Sequence, residues 1–276
     1  GDDLDRFGTT EAAHDVLALI ERAREEGDAV LVFGVSYGSL LAQRILRIAP
    51  VGTIDGTILD GTCNPGVCTM SQVDRWMDDL ARRFFAECAG DPFCSARLGA
   101  DPIDSVSSTL DMLDAGHCPE VVAAGLDRAT ARALMASVLG YAGWTLRPSV
   151  AAMIYRLGRC EPRDVAALRV FVRVLAGEPP TLPTGVRYAS EPAGFRVGFT
   201  ELWEEPAPTV AELMAFDEAG IASASVSVRL GRTREHWTVT APDEHAHRLA
   251  DTTAPMLILH GGLDFMRASG VGRSRR

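Results

Sequence analysis

Ala29-Val30-Leu31-Val32-Phe33-Gly34-Val35-Ser36-Tyr37-Gly38-Ser39-Leu40-Leu41-Ala42 is the stretch on which the fold turns. Its first five residues are a continuous β-prone run, the pattern of a strand buried on both faces of a parallel sheet. Ser39 to Leu46 reads as a helix ended near Pro50, and a sharp turn must join the two. Upstream, Thr9 and Thr10 with Glu11 open a helix with a Thr cap and an acid in the first turn. Ala13, Val16, Leu17, Ile20 and Ala23 then recur at helical spacing up to Glu26-Gly27-Asp28. Downstream, Gly56-Thr57-Ile58-Leu59-Asp60 reads as another buried strand. Helix, strand, helix, strand predicts an α/β fold with a doubly wound, mostly parallel sheet.

From Cys63 to about Gly194 the texture is helical. Ser71 to Cys88, Arg128 to Tyr141 and Arg163 to Ala176 carry mixed apolar and charged faces, before the breaker-rich Gly177-Glu178-Pro179-Pro180-Thr181-Leu182-Pro183. Sheet-like sequence returns at Phe195-Arg196-Val197-Gly198-Phe199 and at Pro255-Met256-Leu257-Ile258-Leu259-His260. The expected organisation is a core of residues 1–62 and 195–276, interrupted by a helical, cysteine-containing cap over 63–194.

The net charge of -10 over 276 residues argues against a nucleic-acid partner, which needs clustered Lys and Arg. No apolar run reaches the ~18 residues of a membrane span. Gly1-Asp2-Asp3-Leu4-Asp5 has no apolar core, so no signal peptide is visible. The six cysteines, Cys63, Cys68, Cys88, Cys94, Cys118 and Cys160, all lie in the middle of the chain. An even count in loop-rich sequence predicts disulfides of open pairing and an oxidising, secreted or envelope compartment. Reduced thiols in a cytoplasmic protein are the alternative. No metal or other cofactor is expected. There is no CxxC pair, and His245 and His247, spaced like a metal pair, have no third ligand in view.

Gly34-Val35-Ser36-Tyr37-Gly38 places a G-x-S-x-G turn between a strand and a helix, which is what a nucleophile elbow requires. Ser36 would sit in a left-handed-type conformation that lifts its hydroxyl above the sheet, with Gly34 and Gly38 avoiding clashes. The amide of Tyr37, at the helix N-terminus, would donate to an oxyanion. Asp264, past the strand ending at Leu259, stands where a triad carboxylate belongs.

Leu4-Asp5-Arg6-Phe7-Gly8-Thr9-Thr10-Glu11-Ala12-Ala13-His14-Asp15, Phe33-Gly34-Val35-Ser36-Tyr37-Gly38-Ser39 and Ile58-Leu59-Asp60-Gly61 resemble the tripeptidyl-aminopeptidase-like, prolyl-aminopeptidase-related branch of the α/β-hydrolase serine peptidases. The turn from Pro255 to Asp264 resembles the strand and acid turn of that family. The resemblance implies a secreted or envelope-associated hydrolase of peptides or small esters, with Ser36 as nucleophile, Tyr37 as oxyanion donor and Asp264 as acid. It also implies a histidine after the acid and a Gly-rich oxyanion loop before the first helix. Neither is in the sequence: His14, His117, His236, His245, His247 and His260 all precede Asp264. The expectation is therefore a serine peptidase or esterase lacking its first strands and its histidine segment, through truncation or a frameshift near Asp264. The basic Gly272-Arg273-Ser274-Arg275-Arg276 motivates that reading. The rivals are a non-catalytic protein that keeps the cap as a binding lobe, and a haloperoxidase- or lyase-like enzyme on the same elbow. Asp78, Asp79 and Glu87 are candidates to hold a substrate's amino group, or else a solvated helix face.

Overall fold

Leu31–Val35 (β1), Gly56–Asp60 (β2) and Met256–Leu259 (β3) form a parallel sheet in the order β1-β2-β3 in the computed structural model, which describes residues 4–141, 145–175 and 190–266. Phe33 stands beside Ile58, and Ile58 beside Leu257, so the register is fixed along one apolar row. Thr9–Ala23 (α1) and Tyr37–Ile48 (α2) supply the helical partners. Ala13, Ile45, Leu46 and Ile54 form a cluster to which Val16, Leu17, Ile20 and Val32 add. The periodic residues of α1 are thus the ones that meet the sheet.

The sheet is not doubly wound. Among the described residues it has three strands, and helices hold most of the chain. On β1 the alternate residues Leu31, Phe33 and Val35 are 70, 63 and 51% exposed, and all four residues of β3 are exposed. A continuous apolar run says that a strand is β-prone; it does not say that something covers its second face. A second correction concerns Phe195 to Phe199, which lies in the helix Glu191–Thr200. Ser190 caps that helix by accepting the Ala193 amide, and Pro192 stands in its first turn. Positions i and i+4 share a face in a strand and in a helix alike. Here they stack Phe195 on Phe199, ring centroids 5.2 Å apart. By contrast, β2 and β3 run over the residues expected for them, and β1 is shifted forward by two.

The chain divides into two units: Gly1–Val73 with Arg187–Leu213 and Ser227–Arg276, and Asp74–Val186 with Met214–Val226. The second is helical, built on Val73–Gly90 (α3), Pro92–Leu98 (α4), Pro102–Asp114 (α5), Pro119–Val122 (α6), Arg128–Tyr141 (α7), Pro148–Arg159 (α8) and Pro162–Leu175 (α9). Proline opens five of these helices, where a missing amide hydrogen costs nothing, and Asp91 and Asp101 cap α4 and α5. Phe85, Leu110, Met135, Leu139, Met153 and Leu157 are fully buried. Disulfides Cys88–Cys94 and Cys118–Cys160 tie this unit, with Cα atoms 5.3 and 5.5 Å apart. The breaker-rich 177–183 and the basic 272–276 lie outside the described residues. Glu191–Thr200 (α10), Val210–Ala219 (α11) and Val226–Glu235 (α12) complete the helices.

Candidate functional site

All three strands run the same way, so their C-terminal ends share one edge of the sheet, where ligands of open α/β sheets bind. Three turns leave that edge: Ser36 after β1, Gly61 after β2, and His260 to Asp264 after β3.

Ser36 has φ 54° and ψ -124°, a left-handed φ that costs a non-glycine residue about 1–3 kcal/mol. Its backbone is held at both ends. The Ser36 amide donates to the Asp60 carbonyl at 3.0 Å, and the Ser36 carbonyl accepts the Ser39 amide at 2.9 Å. A Cβ on Gly34 would lie 2.2 Å from the Gly38 carbonyl oxygen, so only glycine fits there. A Cβ on Gly38 would meet nothing within 4 Å, so the steric demand falls on Gly34 and not on both glycines of the motif. Tyr37 is the first residue of α2, where backbone amides lack intrahelical carbonyls. Its phenol lies 3.1 Å from Thr9 Oγ1; burial pushes the phenol pKa up, against the Thr9 hydrogen bond.

Asp264 reaches the same edge. Its Oδ1 accepts the Met266 amide at 2.9 Å, and a Cβ on Gly61 would lie 3.3 Å from its Oδ2. Gly61 has φ 55°, so a side chain there would be strained as well as crowded. The structure therefore places Ser36 and Asp264 on the same sheet edge, in the turns on either side of Gly61. All six histidines are described, and none is hydrogen-bonded to the Ser36 hydroxyl; His117 Nε2 pairs with the Leu157 carbonyl and His247 Nε2 with that of Glu201, both at 2.9 Å. Among the described residues no cluster could hold a metal ion.

Further residues tie α2 to the start of α1 without carrying a motif. Buried Arg44 on α2 donates to Glu201 Oε2 at 3.0 Å and to the Thr10 hydroxyl, and lies 3.4 Å from Asp243 Oδ2. Glu201 Oε1 in turn accepts the Thr9 amide at 2.9 Å. The N-terminus of α1 is thus capped by a carboxylate 192 residues away, not by the threonine expected from sequence. The Asp243 carboxyl is held below its usual range: burial opposes this, but the Thr10 hydroxyl, the His245 amide and Arg44 outweigh it.

Asp78, weighed above as an amine anchor, is committed elsewhere. Its Oδ1 accepts the Ile221 amide at 2.6 Å and its Oδ2 pairs with Arg82 at 2.7 Å. Asp79 pairs with Arg83 at 2.9 Å. A cavity of about 260 Å³ in the first unit is lined by Trp203, Glu204, Glu205 and Arg234, and neither Ser36 nor Asp264 is in its wall. No known family model matches this chain, and no curated protein matches it.

Proposed function

We propose that Ser36 is the nucleophile of a serine hydrolase acting on peptides or small esters through an acyl-enzyme. The observation that carries the reading is the φ of 54° at Ser36, on a glycine-walled turn between a parallel strand and a helix. Strain of that kind persists only where surrounding structure imposes it. The likeness of the Ser-Tyr-Gly-Ser turn and of Leu59-Asp60-Gly61 to tripeptidyl-aminopeptidase-like peptidases supports peptide substrates.

In the first step Ser36 Oγ bonds to the acyl carbon, and its proton passes through a base to the departing amine or alcohol. The Tyr37 amide would face the developing oxyanion. Water then cleaves the acyl ester, restoring the Ser36 hydroxyl and releasing the acid. Where an imidazole is supplied at this edge, Asp264 would be the carboxylate that orients it. Three disulfides support a secreted or envelope setting. Among the described residues no helix is long and apolar enough to cross a membrane.

A fluorophosphonate probe tests the proposal. Labelling should occur at Ser36 and vanish in Ser36→Ala; an unlabelled wild-type chain would sink it. p-Nitroanilide and p-nitrophenyl substrates then separate peptidase from esterase. A second reading, a binding protein that has kept the elbow, draws on the absence of a histidine hydrogen-bonded to Ser36, and it requires the probe to leave Ser36 untouched.

A further inference from the structure

Three features of the first unit invite a role beyond the nucleophile: the cavity at Trp203, the exposed apolar face of the sheet, and the buried polar bracket behind Ser36. The bracket is the one whose geometry states what it does.

Ser39 is 0% exposed, Gln43 4% and Cys63 2%. The Ser39 hydroxyl donates to the Ser36 carbonyl at 2.6 Å and accepts the Cys63 amide at 2.8 Å. One turn further along α2, Gln43 Nε2 donates to the Ser39 carbonyl at 3.1 Å and to the Cys63 carbonyl at 3.0 Å. Cys63 is itself closed into a short loop by its disulfide to Cys68, five positions on. In the fully buried bracket each of these donors meets an acceptor, as buried polar groups require.

The torsion φ sets where an amide hydrogen points, and ψ sets where a carbonyl points. The Ser36 amide is held by the Asp60 carbonyl, and the Ser36 carbonyl is held by both the amide and the hydroxyl of Ser39. Strained values of both torsions are therefore imposed from outside the residue. We infer that Ser39 is a positioning residue for Ser36, with Gln43 and the Cys63–Cys68 loop as its anchor. A helix could supply the Ser39 amide from any residue type; only a hydroxyl supplies the second donor while also satisfying Cys63. This rests on the reading of Ser36 as a nucleophile, but its test does not.

Ser36→Cys converts the position into a thiol, and because the six native cysteines are paired it would be the single free one. A thiol held at a helix N-terminus ionises below the usual value of about 8.5. The pH dependence of iodoacetamide alkylation measures that ionisation without any turnover. In the Ser36→Cys background, Ser39→Ala should raise the thiol pKa and slow alkylation at pH 7 about tenfold. Gln43→Met, which leaves the Ser39–Ser36 bond in place, should slow it about threefold and stands in if Ser39→Ala does not fold. Leu46→Ala, a core truncation at the far end of the same helix, controls for lost stability and should leave the thiol pKa where it was. An alkylation profile that Ser39→Ala leaves unchanged, or that Leu46→Ala shifts equally, overturns the inference. If the profile moves as stated while fluorophosphonate fails to label the wild-type chain, the positioning role stands and the hydrolase reading falls.

Discussion

The turns that leave β1 and β3 carry the two residues of the proposed chemistry, and they are built differently. At Ser36 the backbone is bonded at both ends, and the helix that follows buries Ser39, Leu40, Ala42, Gln43, Arg44, Ile45 and Leu46. At Asp264 the preceding strand is exposed along its length, Gly261 and Gly262 are exposed, and the bonds of the turn include Asp264 to the Gly261 carbonyl and Met266 to Asp264 Oδ1. A nucleophile must be held in a strained geometry by groups that cannot relax. A carboxylate in an unstrained turn needs no such frame. The buried bonds at the Ser36 turn answer the strain that Ser36 carries.

The largest expected effect comes from breaking the ion pair on α2, the helix that follows the first turn. Arg44 and Glu201 have side chains only 3 and 4% exposed, 3.0 Å apart. Arg44→Met alone leaves the Glu201 charge buried without its guanidinium and should cost about 3–5 kcal/mol in urea unfolding. Arg44→Met with Glu201→Gln should recover more than half of that, because the pair goes together and an amide oxygen still accepts from Thr9. A loss below about 1 kcal/mol for Arg44→Met would mean that the pair does not brace α1 against α2.

Next comes the glycine wall. Gly34→Ala forces a Cβ to 2.2 Å from a backbone oxygen that cannot rotate away, and should cost about 3 kcal/mol or more. Gly38→Ala is expected to act in the opposite direction. Position 38 lies in the first turn of a helix with open space beyond, so alanine should stabilise by up to about 1 kcal/mol. Equal losses at both glycines would restore the symmetric reading of the G-x-S-x-G motif.

Sequence reading does well here where the physics is local. The strand, turn and helix around Ser36, the strand at Met256–Leu259 and the helix at Arg128–Tyr141 each follow from periodicity or breakers within a few residues. Ser39 and Gln43 were within reach too: they lie three and seven residues after Ser36, on the helix face that must meet the turn. Glu201 and Asp243 were not. Their partners are 157 and 199 residues away, and a carboxylate next to Leu202 and Trp203 carries no local mark of burial. Coverage of the sheet failed to show for the same reason, since whether a second layer lies over Leu31, Phe33 and Val35 is decided by distant segments. Phe195 to Phe199 failed differently, because its spacing satisfies two periods at once.

The smallest expected effect is at the second turn, and it discriminates most finely. Asp264→Asn keeps Oδ1 as an acceptor for the Met266 amide, so that bond of the turn should survive. Its consequence for Ser36 depends on whether an imidazole links the two turns. In a working relay, replacing the carboxylate by an amide flips the tautomer and lowers rates by about four orders of magnitude. Here no histidine is hydrogen-bonded to Ser36, so fluorophosphonate labelling of Ser36 in Asp264→Asn should stay within about twofold of wild type. A loss of several orders would place an imidazole between the turns and make the Asp264 turn, despite its exposed strand, as much a part of the frame as the Ser36 turn.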